Sequence, residues 1–226
     1  MMRDSRKTRQ YFDEYLETNE KRISKFELQF QTLPLENEVG RLACMTFIAE
    51  LYRNRILALY SSGAPISSIK ELYPLYVKYF TGSIDKTVGY YDVLECISLA
   101  VLFDAHSYLP KLKDVLMKSN LRDCLTDTFI NYLDKSWEIG ENDICCDWYL
   151  SFLKCGIQER SSYLKTYLEK KWYKSHKDAA WYDNHKSTAA TYVGYWCFEV
   201  AALTKIYNIQ DSPLWEYYPY DLAHCC

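Results

Sequence analysis

The sequence predicts an all-α, multi-helical protein of two packed helical halves with an extended aromatic C-terminal tail. Apolar residues recur at three- and four-residue spacing from end to end, the period of one helix face. Seven Gly and six Pro make up about 6% of the 226 residues, against a usual ~12%. A turn-rich β-sandwich would need far more of both. The halves are expected to meet near Ser119-Asn120, giving an N-terminal domain of residues 1–118 and a C-terminal domain of residues 119–226.

The first helix is predicted from about Asp4 to Gln31, with Phe12, Tyr15, Leu16, Ile23, Phe26 and Phe30 at helical spacing. Pro34 limits it. A second helix follows from about Glu36 to Tyr60, with Val39, Leu42, Ala43, Phe47, Leu51 and Ile56 on one face. The segment from Ser61 to Pro65 reads as a loop. Ser68 and Glu71 have capping-box spacing at the head of a third helix, with Pro74 in its first turns. A fourth helix is predicted from Thr87 to Ala105, and shorter ones over Leu109–Lys118 and Leu121–Trp137. Asp143 is placed to cap a helix through Leu153, which Gly156 ends. Glu159 to Lys174 reads as strongly helical, Lys177 to Lys186 as irregular, and Ser187 to Tyr207 as the most apolar helix. The tail from Trp215 to Ala223 contains Pro219 and reads as an extended segment.

Charge and cysteine usage narrow the class. The net charge is −3 and the pI near 5.9, which argues against a basic nucleic-acid binder. No apolar run approaches the ~18 residues of a membrane span. The first residues lead into charged helix rather than a signal-type stretch, so a cytoplasmic protein without membrane contact is expected. Nine cysteines, an odd number with no Cys-x-x-Cys, fit neither a disulfide framework nor a zinc site. The pair Cys145-Cys146 is adjacent, and Cys225-Cys226 ends the chain. Cys44, Cys96, Cys124 and Cys197 lie among apolar residues and read as small core side chains. The unusual count is 22 tyrosines. Tyr packs like a hydrophobe but keeps a hydroxyl that wants a partner, so the core is laced with hydroxyls or the surface is built to be gripped.

One string repeats. Val88-Gly89-Tyr90-Tyr91 returns as Val193-Gly194-Tyr195-Trp196, and with one residue of slippage Glu95 aligns with Glu199. Both are expected inside helices, where glycine costs roughly 1 kcal/mol against Ala and therefore marks a close helix approach.

Four constellations carry chemistry. His176, Asp178, Asp183 and His185, with Glu199, offer carboxylates and imidazoles for a metal-assisted hydrolase, yet lack the one-turn spacing of a helical metal pair. Glu199 lies in a nearly apolar stretch and must be paired or protonated; a Tyr, Trp or cationic donor is expected to anchor it, and the same is expected of Asp92 and Glu95. Lys170 to Lys177 mixes lysines with Trp172 and Tyr173, the flavour of a nucleic-acid surface, but cations also favour a helix C-terminus, and a solvated helix end is the reading preferred. Glu138, Glu141, Asp143 and Asp147, beside Trp148, place carboxylates and an aromatic in an exposed connection, suited equally to a basic protein partner or to helix capping and solubility. No phosphate loop, nucleophile elbow or Cys/His pair is present, and no cofactor is implied.

The string from Tyr192 to Lys205, then Asp211-Ser212 and Tyr218-Pro219-Tyr220-Asp221-Leu222, resembles the C-terminal domain of the PoNi family, bacterial immunity proteins against PoNe-type DNase toxins. Lys171-Trp172-Tyr173, His176 and the Asp183/His185 pair resemble the stretch that precedes that motif. Arg3-Asp4 and Tyr90-Tyr91-Asp92 resemble the family's N-terminal domain. The chain departs where the family has Asp-Asp for Gln210-Asp211 and Ala for Val200. The resemblance implies a non-enzymatic cytoplasmic protein that binds and blocks a cognate nuclease toxin delivered between competing bacteria. It touches no nucleic acid directly, and a homodimer stays open. Gly89, Tyr90, Asp92, Glu95, Tyr192, Gly194, Tyr195, Trp196, Glu199, Tyr218, Pro219, Tyr220 and Asp221 read as the structural motif. Glu138, Glu141, Asp143, Asp147 and Trp148 read as the toxin-binding face.

Overall fold

The computed structural model describes residues 1–84, 87–144, 147–214 and 216–225, and among them every regular element is helical. Cys145, Cys146 and Cys226, and Trp215 of the tail, lie outside the described residues. The chain forms two compact units, one of Met1–Ile84 with Asp183–Tyr195, the other of Asp85–Tyr182 with Trp196–Cys226.

The first unit is a helical hairpin with a third long element against it. Helix α1 spans Arg9–Thr32 and α2 spans Glu38–Ser62. The short α3 covers Ile66–Lys70, and α4, Tyr73–Gly82, packs on α2. The start of α1 falls later than the periodicity predicts. Thr8 caps it by accepting from the Tyr11 N–H, while the Asp4 carboxylate accepts from the Arg6 N–H at 2.7 Å. At its end, Leu33 turns extended because the residue before a proline avoids the helical region. Asn37 caps α2, and Ser61 and Ser62 still belong to it, so the loop begins at Gly63 with φ +86°. A Cβ there would stand 1.9 Å from the Met1 carbonyl oxygen, so only glycine fits. The expected capping box is not formed: Ser68 lies within α3, Glu71 ends it, and α4 starts with Pro74 in its first turn and no side-chain cap. The predicted apolar face of α2 also divides. Leu51 and Ile56 are buried, but Val39 and Leu42 reach solvent.

The second unit is built on α5 (Tyr90–Leu102), α6 (Leu109–Ser119), α7 (Cys124–Leu133) and α8 (Asp147–Lys154). Helix α9 (Arg160–Tyr167) continues through a π-helical turn, Leu168–Trp172, into α10 (Tyr173–Ser175). Helix α11 spans Phe198–Tyr207 and α12 spans Tyr220–Ala223, so the aromatic tail ends in one helical turn rather than staying extended. Helix α5 packs on α7 and α11. Its core includes Val93, Ile97, Phe129, Phe152, Phe198 and Val200. Helix α7 starts and stops inside its predicted range. Asp123 and Thr126 form a reciprocal capping box, and Asp134 is extended.

The largest departure is residues 187–197, predicted as helix and found irregular. Side chains of the first unit take up this backbone. The Tyr11 hydroxyl donates to the Tyr192 carbonyl and accepts from its N–H, both at 2.9 Å. Ser61 donates to the Val193 carbonyl at 2.7 Å. Gly194 has φ +117°, which a helix does not allow. The sequence echo is therefore not a structural repeat: Gly89 caps α5 from outside, and Gly194 lies in irregular chain. Neither glycine marks a helix crossing.

Candidate functional site

Six carboxylates are taken out of water or partly so, and each meets an aromatic donor. Tyr192 donates to Asp4 at 2.5 Å, Tyr90 to Asp123 at 2.7 Å and Tyr218 to Asp211 at 2.5 Å. Tyr52 and Tyr79 both donate to one oxygen of Glu27, at 2.9 and 3.0 Å. The Trp172 indole donates to Glu199 at 2.7 Å, and the Trp137 indole to Asp127 at 2.7 Å. The tyrosine richness thus serves the interior. Burial pushes the Tyr192 phenol far up, and the hydrogen bond to Asp4 adds to it.

Of the three carboxylates expected to be anchored, one meets its donor among these contacts. Glu199 is buried and paired with Trp172, as an apolar helix demands. Asp92 is different: it is exposed in the first turn of α5, where a carboxylate complements the helix N-terminus. Glu95 is half-buried. Tyr195 holds Asn184 and His185 through its hydroxyl, while Trp196 begins the next stretch of the second unit. Pro219 is buried, Asp221 is exposed in α12, and Tyr220 is 49% exposed with its ring stacked on His224.

Four of the five residues of the metal-hydrolase alternative, His176, Asp183, His185 and Glu199, are engaged locally. His176 lies among the rings of Tyr91, Trp172 and Trp181, with Nδ1 2.7 Å from the Trp172 carbonyl. Asp183 pairs with Lys186 at 2.6 Å, and Asp178 is exposed. Burial holds the His185 imidazole below its ordinary value. Among the described residues no three His, Cys, Asp or Glu side chains are grouped to hold a metal ion. The basic-aromatic run is divided in the same way. Lys170, Lys171, Lys174 and Lys177 are exposed, but Trp172 is core and Tyr173 stacks on Tyr182 and Tyr217. Those rings stack on one another rather than standing open as a platform for bases. Cys44, Cys96, Cys124 and Cys197 are buried thiols, and burial raises the thiol of Cys124 to about 11.

The acidic connection has a definite architecture. Residues 134–144 join α7 to the stretch before α8 without regular structure, and Glu138, Glu141, Asp143 and Asp147 are exposed. Trp148 is half-buried, its ring stacked on Tyr167 at 4.3 Å. The exposed apolar side chains here are Ile139 and Ile144, at 50% and 40%. The connection is held from beneath by Asp127, a fully buried residue of α7. Its Oδ1 accepts from Arg122 Nε and Trp137 Nε1, both at 2.7 Å, and its Oδ2 accepts from the Gly140 N–H at 2.8 Å. Arg122 also donates to the Glu138 carbonyl at 2.6 Å, and its guanidinium lies 4.7 Å over the Trp137 ring. Asn131 donates to the Trp137 carbonyl, and the Cys124 N–H to that of Asn142. At the near end Lys113 pairs with Asp134 and, with Ser136, holds that carboxyl well below the usual range. Asp127 shares part of the signal that marks Glu199, with Leu125, Phe129 and Ile130 near it in the helix, but Thr126 and Thr128 flank it directly, so the sequence pattern alone does not mark it as buried.

The fold and this surface define a two-unit, all-α protein whose interior carboxylates are sealed by Tyr and Trp. Its fold is similar to the crystal structure of protein PA2201 from Pseudomonas aeruginosa, at 16% identity and a TM-score of 0.74, over 98% of this chain and 89% of that one. No curated protein matches the sequence. The family described as PoNe immunity protein (PoNi), N-terminal, matches residues 3–113, and PoNe immunity proteins (PoNi), C-terminal, matches residues 121–222. The chain belongs to the PoNi family of immunity proteins, and membership implies a toxin protein as its partner. No helix among the described residues is long and apolar enough to cross a membrane.

Proposed function

We propose that this protein neutralises a cognate PoNe-type DNase toxin by binding it and covering its catalytic or DNA-binding surface, without catalysing a reaction itself. Family membership over both segments carries the reading. The contact surface proposed is Glu138, Glu141, Asp143 and Asp147, with Ile139 and Ile144 as apolar contacts between them. A protein that binds DNA needs a basic face, and an acidic inhibitor meets it with complementary charge, which speeds encounter and rejects wrong partners. The producing cell would keep the protein in its cytoplasm, where the toxin's target lies.

Co-expression with a candidate cognate PoNe-type nuclease, scored by survival and co-purification, tests the role. Rescue with a stable complex is expected. Survival lost with an active, cognate toxin would overturn it. Glu138→Lys with Glu141→Lys tests the surface: affinity should fall by about ten- to a hundredfold, mostly in the association rate and most steeply at low salt.

A further inference from the structure

We infer that Asp127 is a positioning residue for toxin recognition, an internal carboxylate that holds the 137–142 backbone in the shape its partner reads; this rests on the reading that the acidic connection is the contact surface. A loop without helix or strand samples many shapes, and ordering it on binding costs affinity. Here that ordering is built in beforehand. Trp137 is held by its indole and its carbonyl, Glu138 by its carbonyl, Gly140 by its N–H and Asn142 by its carbonyl. The donors from Trp137, Gly140 and Arg122 converge on one buried carboxylate. The exposed side chains of Glu138, Ile139, Glu141 and Asp143 then stand on a fixed backbone.

The chemistry requires a carboxylate. Both oxygens accept, Oδ1 twice and Oδ2 once. An amide of the same shape turns one of those positions into a donor, which faces either the Gly140 N–H or the Arg122 and Trp137 N–H groups. It also removes the charge that pairs Arg122.

Asp127→Asn is the test, measured with a purified, catalytically inactivated PoNe-type toxin. Hydrogen exchange at the Gly140 amide should rise while the amides of α5 and α11 stay protected. Toxin should dissociate about tenfold faster with its association rate little changed, because the charges remain. Trp137→Phe, which removes one donor at a half-buried site, should give the same pattern more weakly, and decides the matter if Asp127→Asn does not fold. A loosened connection with unchanged dissociation, in a protein where Glu138→Lys still weakens binding, would overturn the positioning role and leave the surface standing. Unaltered exchange at Gly140 would overturn it directly. If Glu138→Lys and Glu141→Lys also leave binding unchanged, the surface itself is wrong.

Discussion

Tyr192 donates its hydroxyl to Asp4 across 188 residues of sequence, at 2.5 Å and with both residues buried. The bond ties the start of the chain to the irregular segment that ends the first unit. Asp4 also accepts from the Arg6 N–H and faces its guanidinium at 3.4 Å. Tyr192→Phe keeps the ring and deletes the donor, leaving a buried carboxylate short of one partner. A loss of about 1–3 kcal/mol is expected. Urea denaturation measures it, and an unchanged midpoint would remove this bond from the stability of the fold.

Glu199 gives a second test of the same device. Its indole partner Trp172 sits at the end of a π-helical turn and is itself buried. Trp172→Phe should destabilise the protein by about 1–3 kcal/mol, since the carboxylate keeps its burial and loses its indole donor. Restoring stability by adding Glu199→Leu to that variant would show that the cost lay in the orphaned carboxylate. Failure of that rescue would place the cost in packing of the lost indole instead.

Alkali should weaken the fold before it ionises the interior tyrosines. Burial, reinforced by the bond to Glu27, raises the Tyr79 phenol from 10.0 to about 12. Burial raises Tyr15 to about 12 as well. The folded values lie above the unfolded one, so the folded state favours the protonated phenol. Their stabilisation is whole below pH 10 and is lost as pH rises through 12. Phenolate absorbance should therefore show a late fraction of tyrosines that ionises together with loss of helical circular dichroism. Uniform titration near pH 10 with the helices intact would contradict the sealed hydroxyls.

Gly194 sits at φ +117°, outside the regions open to residues with a Cβ. Gly194→Ala should cost more than about 1 kcal/mol. Gly156 is the control: its φ is −58° and an added Cβ meets nothing closer than 3.6 Å. Gly156→Ala should be near neutral. Equal effects at the two positions would mean that strain is not what selects glycine at 194.

Much of the fold was legible because helical period and burial are local properties. The spacing of Phe12, Tyr15 and Ile23, the cysteines 44, 96, 124 and 197 among apolar neighbours, and the need of Glu199 for a donor follow from neighbours three or four residues away. The resemblance at Tyr192 to Leu222 likewise rested on contiguous residues. Ser187 to Cys197 departs from its predicted helix for the converse reason. Its apolar content suits a helix, but Tyr11 and Ser61 offer its backbone hydrogen bonds from far away in the chain.

The acidic connection divides along the same line. Its composition and exposure could be read from Glu138 to Asp147. Its single shape could not, because the carboxylate that holds it sits on α7 and acts through Trp137, Gly140 and Arg122. By itself the sequence determined an all-α chain, its buried thiols and the motif of its family. The tertiary structure decided which apolar stretch gave up its helix and which carboxylate became a hub, since a hydrogen bond depends on where its partner stands in space and periodicity records only what lies nearby in the chain.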